Sequence, residues 1–367
     1  MNKKELVIVA LSGGVDSATS AFLLKKEGYE VEALHMTNWE DDKYCESAQD
    51  YKDAKKVCNQ LDIALHRVNF SDSYKKTVFK NFLSEYRNGR TPNPDILCNK
   101  NIKFGVLQKY IKRLGGKYLA TGHYANIITD NSKVLLLKGK DRSKDQTYFL
   151  HAVDAKEFAN VIFPLGDKYK SEVREIAKSI GLHIAKKKDS TGICFIGERP
   201  FTEFLSNYID KKPGDIKDIH GQVLGSHIGL PYYTLGQRQG LGIGGTSKND
   251  ERPWYVVKKD QINNEIIVAQ GKDHPLLFKK KLLTKPNCHW INGMPLELKE
   301  NGFFICNAKI RYRQDDQLCK LTILSNSSIK VEFEKPQRSI TPGQYIVFYK
   351  NEYCLGGAII DKISDLD

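Results

Sequence analysis

Three short stretches of the chain combine residue types that can do chemistry. The first is Ser12-Gly13-Gly14-Val15-Asp16-Ser17, which follows the unbroken apolar run Leu6–Leu11. Six apolar residues are too few for a membrane span and predict a strand buried on both faces, while Ala18, Ala21, Phe22 and Leu24 recur at helical spacing. The glycines therefore belong to a strand-to-helix turn, with Asp16 and Ser17 at the start of the helix. Such a turn binds anions, because glycine lets backbone approach closely, the first helical N–H groups are unpaired, and the helix dipole favours negative charge. Asp16 is the kind of carboxylate that holds Mg²⁺ beside phosphate oxygens. The second stretch is Arg90–Asn99, where Pro92 and Pro94 predict a stiff loop rather than a regular helix or central strand. It delivers Asp95 and Cys98 to a fixed place just before a helix over 101–114. The third, Lys186–Ile196, sets Cys194 after a run of lysines. Positive charge and a nearby helix N-terminus favour thiolate, so Cys98 and Cys194 are candidate nucleophiles; buried structural thiols are the plainer alternative.

These stretches must be positioned by alternating strands and helices. Residues 29–36 predict a second strand parallel to the first, with Met36 at its end either bordering the crevice in which an adenine would sit or serving as a plain core methionine. A helix over 46–60 and a strand over 64–70 follow. Ser71 then caps a long helix with Tyr74, Val78, Phe82 and Tyr86 spaced four apart. Residues 117–121 form another buried strand, ending in Gly122-His123-Tyr124 at the same edge as the glycine turn. Lys144, Asp145 and Gln146 lie in a polar loop able to contact phosphate or sugar. Helices are expected near 155–161 and 171–180. Beyond about residue 200 the alternation gives way to short strand-like segments near 222–224, 254–257, 265–269, 309–312, 320–324, 328–333 and 344–349. Three domains are expected: 1–200, 201–280 and 281–367. Gly240-Leu241-Gly242-Ile243-Gly244-Gly245 matches G-x-G-x-x-G, but no helical pattern follows, so Leu235–Gly245 reads as a mobile or substrate-facing loop and not a dinucleotide site.

Composition narrows the partners. The 367 residues carry a formal charge of +13, distributed unevenly. Residues 1–50 hold 5 Lys/Arg and 10 Asp/Glu, whereas 51–150 hold 20 and 8, an excess of +12 around the candidate site. A polyanion lying across that face is the expectation, and a merely solvated basic surface is the plainer one. The eight cysteines include no C-x-x-C pair, which argues against a zinc knuckle or a disulfide scaffold. Lys3-Lys4 before the apolar run imitates a signal peptide, yet the run is short and ends in a phosphate turn, so a cytoplasmic protein with no membrane segment is expected.

The glycine turn looks like the PP-loop of enzymes that split ATP between the α and β phosphates. Taken with Asn93-Pro94-Asp95 and Cys98, Thr121-Gly122-His123-Tyr124, Lys144-Asp145-Gln146, Gly192-Ile193-Cys194-Phe195, Leu235–Gly245, Arg311-Tyr312 and Pro342-Gly343-Gln344, the chain resembles the tRNA-specific 2-thiouridylases. The resemblance implies an N-terminal α/β domain with a parallel sheet of the adenine nucleotide alpha-hydrolase-like PP-loop fold, then a β-rich central domain and a C-terminal β-barrel. It implies ATP contacts from Ala10, Leu11, Ser12, Gly13, Gly14, Val15, Asp16, Ser17, Met36 and Gly122, with Mg²⁺ at Asp16. It assigns Asn93, Pro94 and Asp95 to the target base, and His123, Lys144, Asp145, Gln146, Arg311, Tyr312 and Gln344 to the tRNA. Cys194 is implied as persulfide carrier and Cys98 as its partner in a transient disulfide, with Asp95 as a proton shuttle. The partners would be the anticodon arm of tRNA, with its wobble uridine, and a persulfide donor such as a cysteine desulfurase or sulfur-relay protein. Three rivals compete: a PP-loop ligase or amidase, which needs no cysteine pair; an iron-cluster thiolase with Cys98, Cys194 and Asp95 as ligands; and a non-enzymatic RNA-binding protein.

Overall fold

The computed structural model describes residues 5–39, 47–131, 133–189, 192–193, 195–197, 199–243 and 252–364. Cys194 and the glycines at 244 and 245 lie outside the described residues. Five parallel strands, β1 (Leu6–Ala10), β2 (Glu30–Thr37), β3 (Leu65–Asn69), β4 (Tyr118–Ala120) and β7 (Val161–Ile162), form a sheet in the order β3-β2-β1-β4-β7. The central β1 is buried on both faces, as its apolar run predicts, because helices cover the sheet on each side. Val7 and Val9 pack with Ala18, Ala21 and Leu24 of α1 (Val15–Lys26), with Val57 of α2 (Ser47–Leu61) and with Ala177. Ile8 faces the other way, toward a larger cluster containing Tyr74, Phe82, Ile96 and Phe104. Strand order reverses direction between β1 and β4, so the loops after these two strands part and leave a crevice at their C-terminal ends.

Two local expectations are corrected. The loop expected over 90–99 holds only for 90–93 and then becomes the start of a helix: Pro94–Leu97 is helical and runs on, with π-type winding over Cys98–Leu107, through Gln108–Arg113. Asn93 caps it, accepting the Asp95 amide at 3.2 Å, and Pro94 stands in the first helical turn where its missing N–H costs no bond. Asp95 and Cys98 are thus inside the helix and not before it. The helix after β3 begins at Ser71, but Ser71 is its first helical residue and not its cap: the N-cap is Phe70, and Asn69 Oδ1 accepts the Ser71 amide at 2.8 Å.

A four-stranded sheet, β10-β11-β8-β9, is built from β8 (Gly214–Asp218), β9 (Val223–His227), β10 (Trp254–Asp260) and β11 (Glu265–Gln270). Beyond it, β12 (Phe278–Thr284), β14 (Phe303–Lys309), β15 (Gln317–Ile323), β16 (Ile329–Arg338), β17 (Tyr345–Lys350) and β18 (Tyr353–Ile363) close into an antiparallel barrel, since β12 pairs with both β16 and β18. The strand expected over 309–312 ends at Lys309: the Ile310 amide turns to Gln314 Oε1 at 2.8 Å, and Arg313 adopts φ +63°. Arg311 and Tyr312 therefore sit in a turn at the barrel's end. A hairpin the sequence did not announce, β5 (Ala125–Asp130) with β6 (Lys133–Lys138), leaves the α/β layer and adds to the barrel through Leu137 and Tyr353. No helix among the described residues is long and apolar enough to cross a membrane.

The barrel touches the α/β layer closely at Gly343, whose φ is +95° and where an added Cβ would lie 2.8 Å from the Thr91 nitrogen. Gly343→Ala is expected to lower unfolding free energy by roughly 1–3 kcal/mol through that overlap and the left-handed backbone. Gly293→Ala, at φ +87° with open space around it, carries only the backbone part. Urea denaturation of the two variants measures the difference; equal losses would show that the barrel does not press on residue 91.

Candidate active site

The glycine turn is held from three directions. Gly13 has φ +82°, and a Cβ there would lie 2.4 Å from the Asp50 carbonyl oxygen, so only glycine lets the turn and α2 approach this closely. Ser17 Oγ accepts the Ser12 amide and donates to the Gly14 carbonyl, both at 3.2 Å, which closes the turn on itself. No side chain caps the first turn of α1, whose N-cap is Gly14, so its amides remain available to an anion. Gly122, after β4, lies against the backbone of Asp16 and Ser17. Met36, near the end of β2, is half-buried against the large apolar cluster.

Around the turn stands a set of ion pairs reaching in from residues 170–189. Lys170 donates to both oxygens of Asp16 at 2.6 and 2.7 Å and lies 2.8 Å from Asp189. Asp189 also takes Lys144 and Arg174, each at 2.8 Å. Burial would push its carboxyl up, but the hydrogen bonds from Lys144 and Lys170 hold it down at about 2. Lys187 donates to the Gly13 carbonyl at 3.2 Å and to Asp50 and Asp53 at 2.8 Å each, tying the turn to α2. Tyr124 Oη donates to Asp16 at 2.9 Å; burial first, and then the Asp16 charge, push that phenol far up. Asp16 is thus oriented by Lys170 and Tyr124 at the helix end. Hard oxygen, partly open to solvent and next to unpaired amides, suits Mg²⁺ carried by a phosphate.

Asp95 and Cys98 lie on the 94–113 helix at the same edge of the sheet. Burial pushes the Asp95 carboxyl up, partly offset by Lys103. Cys98 is buried, 7% exposed, in the cluster that also holds Ile96, Phe79 and Phe195. Phe195, next to Cys194, packs its ring on Trp39, Tyr74, Phe79 and Phe82, with centroids 5.0–5.8 Å away. The side chains expected to meet tRNA divide into two groups. His123 is turned inward between Phe104 and Phe163, and burial, reinforced by Lys103, keeps its ring neutral. Asp145 is 4% exposed and accepts from Gly139 N and Thr147, while Gln146 Oε1 accepts the Tyr124 amide at 3.0 Å. His123 and Asp145 are buried and brace the loops, and Gln146, half-buried, is held by the Tyr124 amide.

Arg311 is exposed, Tyr312 is half-buried with its ring 4.5 Å from Phe149, and Gln344 donates to the Thr91 and Pro92 carbonyls at 2.9 and 3.2 Å. Thr91 also meets Thr234 Oγ1 at 3.1 Å. The segment before Asn93 is therefore gripped by the barrel and by the 234–237 loop, and a cleft of about 440 Å³ opens there beside Arg311 and Arg338.

Lys170, Arg174, Lys187, Asp189 and Tyr124 were not singled out from the sequence as site residues. The Lys186-Lys187-Lys188-Asp189 run was visible but read only as a thiolate environment; nothing local marked Lys170. Family models described as a tRNA methyl transferase HUP domain, a tRNA methyl transferase PRC-barrel domain and an aminomethyltransferase beta-barrel domain match residues 5–198, 202–270 and 280–360. The chain is 54% identical over 367 residues to the tRNA-specific 2-thiouridylase MnmA of Legionella pneumophila (strain Lens), covering 98% of this chain and 99% of that one. It is 52% identical to the protein of that name from Hahella chejuensis (strain KCTC 2396), over 99% of both chains. The tRNA-specific 2-thiouridylase MnmA 1 of Geobacillus kaustophilus (strain HTA426) is 51% identical across 100% of this chain and 98% of its own. Identity of this order along the full length, over a sheet that carries its glycine turn at the strand-order reversal, means that the chain belongs to the tRNA-specific 2-thiouridylase family.

Proposed function

We propose that the chain is a tRNA sulfurtransferase that uses ATP to replace the C2 oxygen of the wobble uridine with sulfur. The observation that carries this reading is the turn after β1, closed on itself by Ser17 with the first amides of α1 left open, together with a helix that bears Asp95 and Cys98 in its first turns. A carbonyl oxygen is a poor leaving group and must be activated. O2 of the uracil attacks the α-phosphorus of ATP, the N3 proton departs to a base, and pyrophosphate leaves toward the glycine turn. Asp16 would hold Mg²⁺, which neutralises phosphate charge when bound. Asp95 is the candidate base, since burial makes it more basic than an ordinary carboxylate. A persulfide on Cys194 then supplies the sulfur and AMP departs. Either the outer sulfur attacks C2 and Cys98 resolves the remaining linkage, or Cys98 first releases hydrosulfide that attacks C2; both routes leave a Cys98–Cys194 disulfide that a reductant must open. The target base must leave the anticodon stack, with Asn93 and Pro94 beside it and Arg311, Tyr312 and Gln344 on the tRNA side. Lys144 joins them only if it leaves Asp189, whereas His123, Asp145 and Gln146 act by bracing the loops.

Incubation with unmodified tRNA, ATP, Mg²⁺ and a persulfide donor is expected to yield 2-thiouridine by nucleoside mass spectrometry; an ammonia or amino acid adduct, or no product, would favour the rivals. Cys98→Ser should accept sulfur on Cys194 without forming product, and Cys194→Ser should accept none. Enzyme stalled without reductant should map as Cys98 joined to Cys194, and a linkage through Cys58 or a barrel thiol would overturn the pairing.

The Asp95 assignment has a sign. A base works above its pKa, so a raised pKa moves the acid limb of the single-turnover adenylylation profile to higher pH than an ordinary carboxylate gives. Asp95→Asn should be slow and lack that limb; a variant that keeps the limb removes Asp95 from the proton path.

Binding of tRNA should weaken steeply with salt, since the basic region releases counterions from phosphates. Arg311→Ala should lower both affinity and that salt slope. Gln344→Ala, which frees the Thr91 and Pro92 carbonyls, should lower affinity while Cys194 still accepts sulfur. Unchanged affinity in both variants would give this face another role.

A further inference from the structure

Among the described residues, Lys170 is the cation that lies on the carboxylate of the glycine turn itself. It opens the Lys170–Ser179 helix, which packs against α1. Its three donors are met by three carboxylate oxygens, two on Asp16 and one on Asp189, at 2.6–2.8 Å. The lysine side chain is 11% exposed but Asp16 is 32% exposed, so solvent reaches the carboxylate on a side that the ammonium leaves open. The uncapped amides of the first turn of α1 belong to the same turn as Asp16.

We propose that Lys170 is a phosphate-binding residue held in reserve: in the nucleotide-free protein its ammonium fills the cation position on Asp16, and Mg²⁺-ATP displaces it, the metal taking Asp16 while Lys170 turns to a phosphate oxygen. This rests on the reading of the turn as the ATP site. A triphosphate drawn to the α1 amides would otherwise meet the Asp16 charge directly, and the cation already between them is Lys170. Lysine suits the exchange, because its ammonium is a point charge on a flexible stem with donors that rotate freely. Departure strands no buried charge. Asp189 keeps Lys144 and Arg174 at 2.8 Å, and Asp16 keeps the Tyr124 hydroxyl while gaining the metal. The exchange thus leaves both carboxylates partnered and puts the ammonium against the negative charge that the nucleotide brings.

The test compares metal and nucleotide affinities in the full chain, with Mn²⁺ as a spectroscopic probe for the metal and calorimetric titration of Mg²⁺-ATP. Lys170→Met is expected to bind Mn²⁺ alone about tenfold more tightly, because the competing ammonium is gone. It should bind Mg²⁺-ATP about tenfold more weakly, the scale of one charge-assisted hydrogen bond. Adding Asp16→Asn should abolish the gain for Mn²⁺. A lysine that only braces the turn would weaken both affinities on removal, and that result, or no change in either, overturns the proposal. Lys170→Gln, which keeps a hydrogen-bonding head without charge, should show the same opposed signs if the Met variant folds poorly. Wild-type protein that fails to bind ATP at all would instead remove the ATP reading on which the proposal stands.

Discussion

Ammonium groups from residues 170 and 187 hold the phosphate turn in shape, and the geometry of the site follows from that constraint. A turn rich in unpaired amides is strained electrostatically when it has no anion, and the charges brought to it must be neutralised in advance. Lys187 does so by spanning the Gly13 carbonyl and the carboxylates of Asp50 and Asp53. Burial alone would lower the Lys187 pKa, but those two carboxylates raise it above its ordinary value, so the bridge stays charged. Lys170 does the same between Asp16 and Asp189. Because Asp189 also collects Lys144 and Asp141 accepts the Lys170 amide at 3.0 Å, the loop at 140–147 is coupled to the turn by two carboxylates.

The same loop is fixed from the opposite side by the barrel. Lys138 of the added hairpin pairs with Asp316 at 2.5 Å and lies over the Tyr349 ring, and Lys309 lies 3.6 Å from both Asp145 and Asp316. Two nearly buried lysines are tolerable there because two carboxylates and an aromatic face receive them. Asp145 is therefore a structural anchor shared by the α/β layer and the barrel. The hairpin β5-β6, which crosses from one to the other, makes that sharing possible. A substrate gripped at Arg311 and Tyr312 would be held on the scaffold that carries the phosphate turn.

Much of the site was legible in the sequence where chemistry is local. A run of six apolar residues, two glycines and an acidic helix start specify a strand-to-helix turn within twelve residues, and the structure forms it between β1 (Leu6–Ala10) and α1, which starts at Val15. Asn93-Pro94 shows the limit of the local argument. Proline forbids a helix interior, so the segment read as a loop, yet Asn93 supplies a cap and Pro94 falls in the first turn, where proline is favoured. The helix starts at Pro94 and not at residue 101, and that shift of seven residues reversed the conclusion. The barrel strands were partly hidden for a different reason: in β12 the run Lys279-Lys280-Lys281 masks the alternation.

The sequence by itself determined the phosphate turn, the buried central strand and the presence of two cysteines in basic surroundings, because each depends on residues within a few positions of one another. Tertiary structure decided which charges serve the turn. Lys170 lies 154 residues from Asp16, and Lys187 lies 137 from Asp50; no periodicity or spacing joins them. It also decided that His123 and Asp145 turn inward, since only the packing of Phe104, Phe163 and Thr147 around them settles which way a polar side chain at a loop will face. Local propensity sets the backbone of a turn, but burial and ion pairing at a distance set the charge it presents.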